Sequence, residues 1–205
     1  MKRSFLLLTI ILICFPVQAQ NSKHAERAKQ IDLVVDSLSK NYTISEEGLV
    51  FSKVIQAPNL GKNALYVRLL EILSSMYKNT KNLIQVQDKE QGFILGKGID
   101  EEVKPDILGA KAINTIHHTI KIEVRERRFK VSITLTNVDM AYYDSKNRKS
   151  WEYHHPILNF YPFNQEIKLK YRDDSFNTIK FGITNSISLI DNIEDKISKI
   201  EVEDW

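Results

Sequence analysis

The sequence predicts an α+β domain in which helices lie across one face of an antiparallel sheet of about five strands. Three observations predict it. Two stretches, His117–Arg125 and Phe129–Thr136, alternate apolar and polar residues with the period of two that a half-buried strand requires. The stretch Gly48–Gly98 reads as strand, helix and hairpin in succession. An apolar stripe at helical spacing runs from Phe176 to Ile200 near the end of the chain.

The first segment is an address rather than a part of the fold. Lys2 and Arg3 precede a run from Phe5 to Phe15 that is apolar apart from Thr9, and Val17-Gln18-Ala19 follows. That order makes residues 1–19 a secretory signal peptide, cut after Ala19. The run is too short to span a bilayer comfortably. Cys14 is the only cysteine, and Ile13 before it is bulkier than lipid attachment wants, so a lipoprotein is set aside. Cleavage leaves 186 of the 205 residues and no cysteine. Thiol catalysis and a cysteine-ligated zinc site are thereby excluded. Losing Lys2 and Arg3 leaves 27 basic against 26 acidic residues, a net charge of +1 that supplies no general field for a polyanion. No later apolar run is long enough to cross a membrane.

Residues 20–47 form a leader, with Ile31, Val34, Val35 and Leu38 at helical spacing. It is either a short amphipathic helix or a partly ordered segment. Residues 48–205 form a single domain. Leu49–Gln56 is a strand that stops at Ala57-Pro58, because proline cannot donate to a ladder. Leu65, Leu69, Ile72, Leu73 and Met76 then share a helix face, with Asn59 or Gly61 as the cap. Leu83–Gln87 and Phe93–Gly98 are two strands joined by the polar loop Asp88–Gly92. Gly96 and Gly98 mark a bulge or a close backbone approach. Ile99–Thr115 is a connection, and the two alternating strands follow it. Their turn, Glu126-Arg127-Arg128, lacks the Asn-Gly or Asp-Gly of a tight hairpin, so a slightly longer or strained loop is expected. Residues 139–165 are irregular and aromatic, and Ile167–Arg172 alternates as one more possible strand. Asp173, Asp174 or Ser175 then caps a helix over residues 174–200.

The run Gly48-Leu49-Val50-Phe51-Ser52-Lys53-Val54, with Ala57-Pro58, Leu65-Tyr66, Asp88-Lys89, Gly92 and Gly96-Lys97-Gly98, carries a resemblance. It is similar to domain-of-unknown-function family 4468, secreted bacterial proteins with a TATA-binding-protein-like (TBP-like) fold. The resemblance covers Gly48–Gly98 and extends to about Val138. It implies a curved antiparallel sheet with helices on one side, and it brings no activity and no catalytic residues. The namesake of the fold binds DNA, but fold does not imply function, and an exported chain of near-zero charge argues against that role.

The histidine pairs are the first chemistry to weigh. His117-His118 and His154-His155 would supply metal ligands only if the aromatic segment folded back onto the sheet edge. Neighbours on a strand point to opposite faces, so at most one of His117 and His118 serves readily. No H-E-x-x-H spacing accompanies them, and a hydrogen-bonded core histidine is the simpler reading of His118. The clusters Glu46-Glu47, Asp100-Glu101-Glu102 and Asp173-Asp174 read as solvated loops or helix starts. There is no G-x-S-x-G elbow and no phosphate loop. No catalytic residue, metal or cofactor is therefore assigned.

The aromatic segment holds Tyr142, Tyr143, Trp151, Tyr153, Phe160, Tyr161 and Phe163 beside the basic run Lys146-Asn147-Arg148-Lys149. Most of these rings are read as covering an open end of the core. Trp151 and Tyr143 are the expected exposed contacts, with Arg148 and Lys149 beside them, for a partner protein or a glycan. The reading is an exported, non-catalytic binding or interaction module of the bacterial envelope. An exported enzyme, metal-assisted or not, and a structural part of an envelope assembly are the alternatives.

Overall fold

The computed structural model describes residues 26–77, 84–105, 109–160 and 169–199, with backbone alone for 169–172. The signal peptide expected at residues 1–19 lies outside the described residues, as do Tyr161, Phe163 and Ile200. Among the described residues seven strands build one antiparallel sheet, two more than expected: β1 (Thr43–Ser45), β2 (Gly48–Gln56), β3 (Ile84–Asp88), β4 (Phe93–Pro105), β5 (Lys111–Arg125), β6 (Arg128–Tyr143) and β7 (Lys149–Pro156). Their order is β1-β2-β6-β5-β4-β3, with β7 also on β6. Residues 26–39 form α1, Lys62–Met76 form α2 and Leu169–Ser198 form α3.

The extra strands come from segments with a weak sequence signal. The expected connection 99–115 is instead mostly ladder, because β4 runs on to Pro105 and pairs with β5 from Lys111. Asp100, Glu101 and Glu102 therefore lie in a strand and not in a loop. Residues 139–143 belong to β6, and β7 is carved out of the aromatic segment, followed by a 3-10 turn at Ile157–Phe160. Of the possible strand 167–172, residues 167 and 168 lie outside the described residues and 169–172 are helical. Backbone from Leu169 is helical, so Asp173, Asp174 and Ser175 sit inside α3 rather than at its cap.

The alternation is resolved as the period demands. On β5, Ile116, His118, Ile120, Ile122 and Val124 are buried, and on β6 so are Phe129, Val131, Ile133 and Leu135. The helices close this face. Leu65, Leu69, Ile72 and Leu73 of α2 and Phe176, Ile179, Ile183, Ile190, Ile193 and Ile197 of α3 are buried in the same core. Each such aliphatic side chain contributes roughly 1.5–3 kcal/mol. Within the leader, residues 26–39 are helical: Ile31 of α1 is buried in the core, and Val34, Val35 and Leu38 pack against it partly buried. The opposite face, formed on β5 by the odd-numbered residues Lys111 to Glu123, holds none that is buried.

Two junctions set the position of the functional surface. Helix α2 starts at Gly61, which supplies no side-chain cap. Glu126 of the β5–β6 turn accepts from the Lys62 N–H at 3.1 Å instead, which satisfies one of the orphan donors at the helix start. That turn is a tight two-residue one, Glu126-Arg127, between the paired residues Arg125 and Arg128. Of the two expectations the strained one holds: Arg127 has φ 57°, a left-handed conformation that costs a non-glycine residue about 1 kcal/mol. The second junction lies along β6. Its first half, Arg128–Leu135, pairs with β2, and its second half, Asn137–Tyr143, pairs with β7. Thr136 is the extra residue of a bulge between them.

Candidate functional site

The bulge at Thr136 separates the two neighbouring histidines of β5. His118 turns into the core and His117 onto the open face. His118 is 2 % exposed, and its Nε2 is hydrogen-bonded to the Tyr77 hydroxyl 3.0 Å away. Its Nδ1 faces the Asp100 carboxylate at 3.1 Å without an aligned hydrogen bond. Burial, with the Asp100 charge nearby, pushes the Tyr77 phenol well above its ordinary range, so this hydroxyl stays protonated. His118 is the hydrogen-bonded core histidine that its place in the alternation implies. It fastens the end of α2 to the sheet.

On the open face the two histidine pairs do converge. Strand β7 sets His154 opposite Asp139 of β6, and His117 lies across the neighbouring rung of β5. Asp139 Oδ2 is 2.6 Å from His117 Nε2, and its Oδ1 is 2.7 Å from His154 Nδ1. An ionised carboxylate only accepts, so both ring nitrogens donate to it. Burial pushes the Asp139 carboxyl up, but the hydrogen bonds from His154 and His117 outweigh it and hold the group below its ordinary value. The same hydrogen bond raises the His154 imidazole above 6.5. Asn137, His155 and Pro156 complete a shallow recess of about 430 Å³ around the three. Each imidazole spends the nitrogen nearest the carboxylate on a hydrogen bond. No group of three or more His, Cys, Asp or Glu among the described residues is disposed to hold a metal ion.

The bridge ties β7 through β6 to β5, so its strength is legible in stability. His154 has a raised pKa in the fold; its contribution is complete below pH 6.5 and is lost as pH rises through the folded value. Asp139 has a lowered pKa; its contribution is present above pH 3.8 and is lost as pH falls through the folded value. Asp139→Asn is therefore expected to destabilise more at pH 5.5 than at pH 8.5, read from urea unfolding at both. A loss independent of pH would contradict the bridge.

Core-side residues of β7 form a second feature. Trp151, Tyr153 and His155 recur every second residue, so they share one face with Tyr142 of β6, the partner of Trp151. Tyr142 and Trp151 are stacked with centroids 5.8 Å apart; Trp151 and Tyr153 are 5.3 Å apart, Tyr153 and His155 6.0 Å, and His155 and Phe160 5.6 Å. Trp151 is 41 % exposed and Tyr153 56 %.

The expected contact residues divide accordingly. Trp151 is exposed as expected. Tyr143 is half-buried on the other face, with Lys111 Nζ 5.4 Å over its ring, and it is not part of the row. Arg148 is held by Asp144 at 2.7 Å, and Lys149 by Glu152 at 2.9 Å. Both cations serve the β6–β7 turn rather than stand free. Sequence reasoning missed Tyr153 and Asp139. Tyr153 is two residues from Trp151, which a strand reading of 149–156 puts on the same face. Asp139 carried one signal, an acid in the apolar context Val138-Asp139-Met140-Ala141.

Residues 51–139 match the model of a family described as "Domain of unknown function (DUF4468) with TBP-like fold". No curated protein matches the chain. A TBP-like protein from Parabacteroides distasonis superposes with TM-score 0.52 at 18 % identity, over 78 % of this chain and 99 % of that one. A DUF4468 family protein from Bacteroides ovatus gives TM-score 0.43 at 15 % identity, over 71 % and 91 %. No helix among the described residues is long and apolar enough to cross a membrane. Residues 51–139, at the centre of this sheet, are thus similar to the DUF4468 family, and the fold is TBP-like.

Proposed function

We propose that this is an exported, non-catalytic interaction module of the bacterial envelope that grips a partner protein through β7. The exposed row Trp151–Tyr153, continued by Tyr142 and His155, is the observation that carries the reading. Rigid amphipathic rings supply contact area at low entropy cost, and they are enriched where proteins bind. Among the described residues β7 pairs with β6 alone, so its second edge offers backbone donors and acceptors beside the rings. An extended segment of a partner adds to such an edge as one more strand. The basic start, apolar run and Val17-Gln18-Ala19 of residues 1–19 support export.

In-cell crosslinking of the tagged, exported protein tests this. A partner captured by the parent is expected to drop at least tenfold with Trp151→Ala, Tyr153→Ala, while near-ultraviolet circular dichroism still reports a packed fold. Capture undiminished in the double variant would remove β7 as the contact.

A second reading rests on His117–Asp139–His154. One carboxylate orienting two imidazoles is an acid–base arrangement, and it would serve an exported hydrolase. Among the described residues the recess holds no serine, threonine or cysteine that would act as a nucleophile. The interaction reading is therefore preferred.

A further inference from the structure

Arg125, Arg127, Arg128 and Lys130 fall within six residues at the β5–β6 turn. Pairing sets Arg125 directly opposite Arg128, a like-charge cross-strand pair that works against the fold. Among the described residues, none of the four side chains has an ion pair or hydrogen bond. The other arginines whose side chains are described, Arg27, Arg68 and Arg148, each hold a carboxylate. The acids near the turn are committed to other groups. Glu123 meets Lys121 at 3.3 Å, and Glu126 accepts from the Lys62 N–H. Arg125, Arg128 and Lys130 line one recess of about 330 Å³ with Val54, Phe129 and Glu123. Its charged lining is three cations against one acid.

We propose that this recess binds a phosphate group carried as a monoester on a small, sugar-sized ligand. Guanidinium forks match a tetrahedral oxyanion two bonds at a time, and Lys130 adds a third, point-like charge. A dianion offsets the Arg125–Arg128 repulsion that the fold otherwise bears. The apolar wall is Val54, 56 % exposed, against which the body of the ligand rests. Volume separates the ligand classes. The recess accommodates one phosphate and one ring, whereas a membrane or an extended polyanion requires cations along a whole face. Along β5 and β6 the cations alternate instead with Glu123, Ser132, Thr134 and Asp139. This site lies at the other end of β6 from the aromatic row, and it stands whether or not β7 binds a protein.

The test follows the Arg Nε–H resonances by NMR at constant ionic strength, with inorganic phosphate and glucose 6-phosphate as separate probes. The expected result is a saturable shift at Arg125 and Arg128, with the ester at least tenfold tighter than the free anion. Arg125→Gln, Arg128→Gln is expected to lose at least tenfold in affinity, and Arg68→Gln to lose none. Thermal unfolding supplies a second readout. Without phosphate at low salt, Arg128→Gln raises the midpoint by relieving the repulsion, and added phosphate stabilises the parent but not the variant. Shifts that fail to saturate, or that persist unchanged in the double variant, overturn the site. Equal affinity for the two probes overturns its assignment to an ester.

Discussion

Gly48→Ala is expected to destabilise the protein by about 3 kcal/mol, the scale of overpacking added to backbone strain. Gly48 has φ 144°, a backbone conformation that L side chains rarely adopt. A methyl group there would fall inside the Leu135 carbonyl oxygen, 2.9 Å from the carbonyl carbon and 3.2 Å from Ile157 Cγ2. Neither neighbour yields cheaply. Leu135 is fully buried in the rung that ends the β2–β6 ladder, and Ile157 is fully buried just beyond β7. For a domain of this size the loss corresponds to about 6–12 °C in Tm. Urea unfolding followed by tryptophan fluorescence measures it, and a loss under 1 kcal/mol would contradict the packing. The consequence reaches the functional surface, because this is where β6 exchanges β2 for β7. A shifted Leu135 moves the Thr136 bulge, and with it the relation of His117 to Asp139.

Gly98→Ala is expected to cost about 2–3 kcal/mol, for a different reason. The added carbon would collide with the His118 ring, lying 2.9 Å from its Cε1 and 2.9 Å from Tyr77 Cε1. Gly98 is the direct partner of His118 in the β4–β5 ladder, so the absent side chain is what admits the imidazole and the phenol. A double-mutant cycle isolates this cause. In a His118→Ala background the same substitution is expected to cost at least 1 kcal/mol less, because the ring has gone. Additive losses would show that Gly98 is constrained by its backbone and not by the histidine.

Much of the fold was legible from side-chain periodicity. A period of two named the buried faces of β5 and β6 residue by residue, and spacings of three and four named the core stripes of α2 and α3. The order of charge and apolarity in residues 1–19 is what supports the export proposed above. What failed was element identity wherever polar residues interrupt a strand. Asp100-Glu101-Glu102 reads as a loop by composition, yet these residues lie in β4, where Asp100 faces His118 and Glu102 accepts from Asn114 at 3.2 Å. The opposite error fell at Ile167–Arg172, where local alternation suggested a strand but backbone from Leu169 is the start of α3.

The sequence by itself determined the fold class and the buried faces of β5, the first half of β6, α2 and α3, because each depends on residue type and spacing along the chain. Only the tertiary structure decided that His117, Asp139 and His154 meet, that Trp151 and Tyr153 extend one row, and that Arg125 and Arg128 face each other with no carboxylate partner among the described residues. Those groupings depend on which strand lies beside which, and on a single extra residue at Thr136 that resets the register between β5 and β6. Register is fixed by the packing of a whole face against the helices, and no local pattern in the chain encodes it.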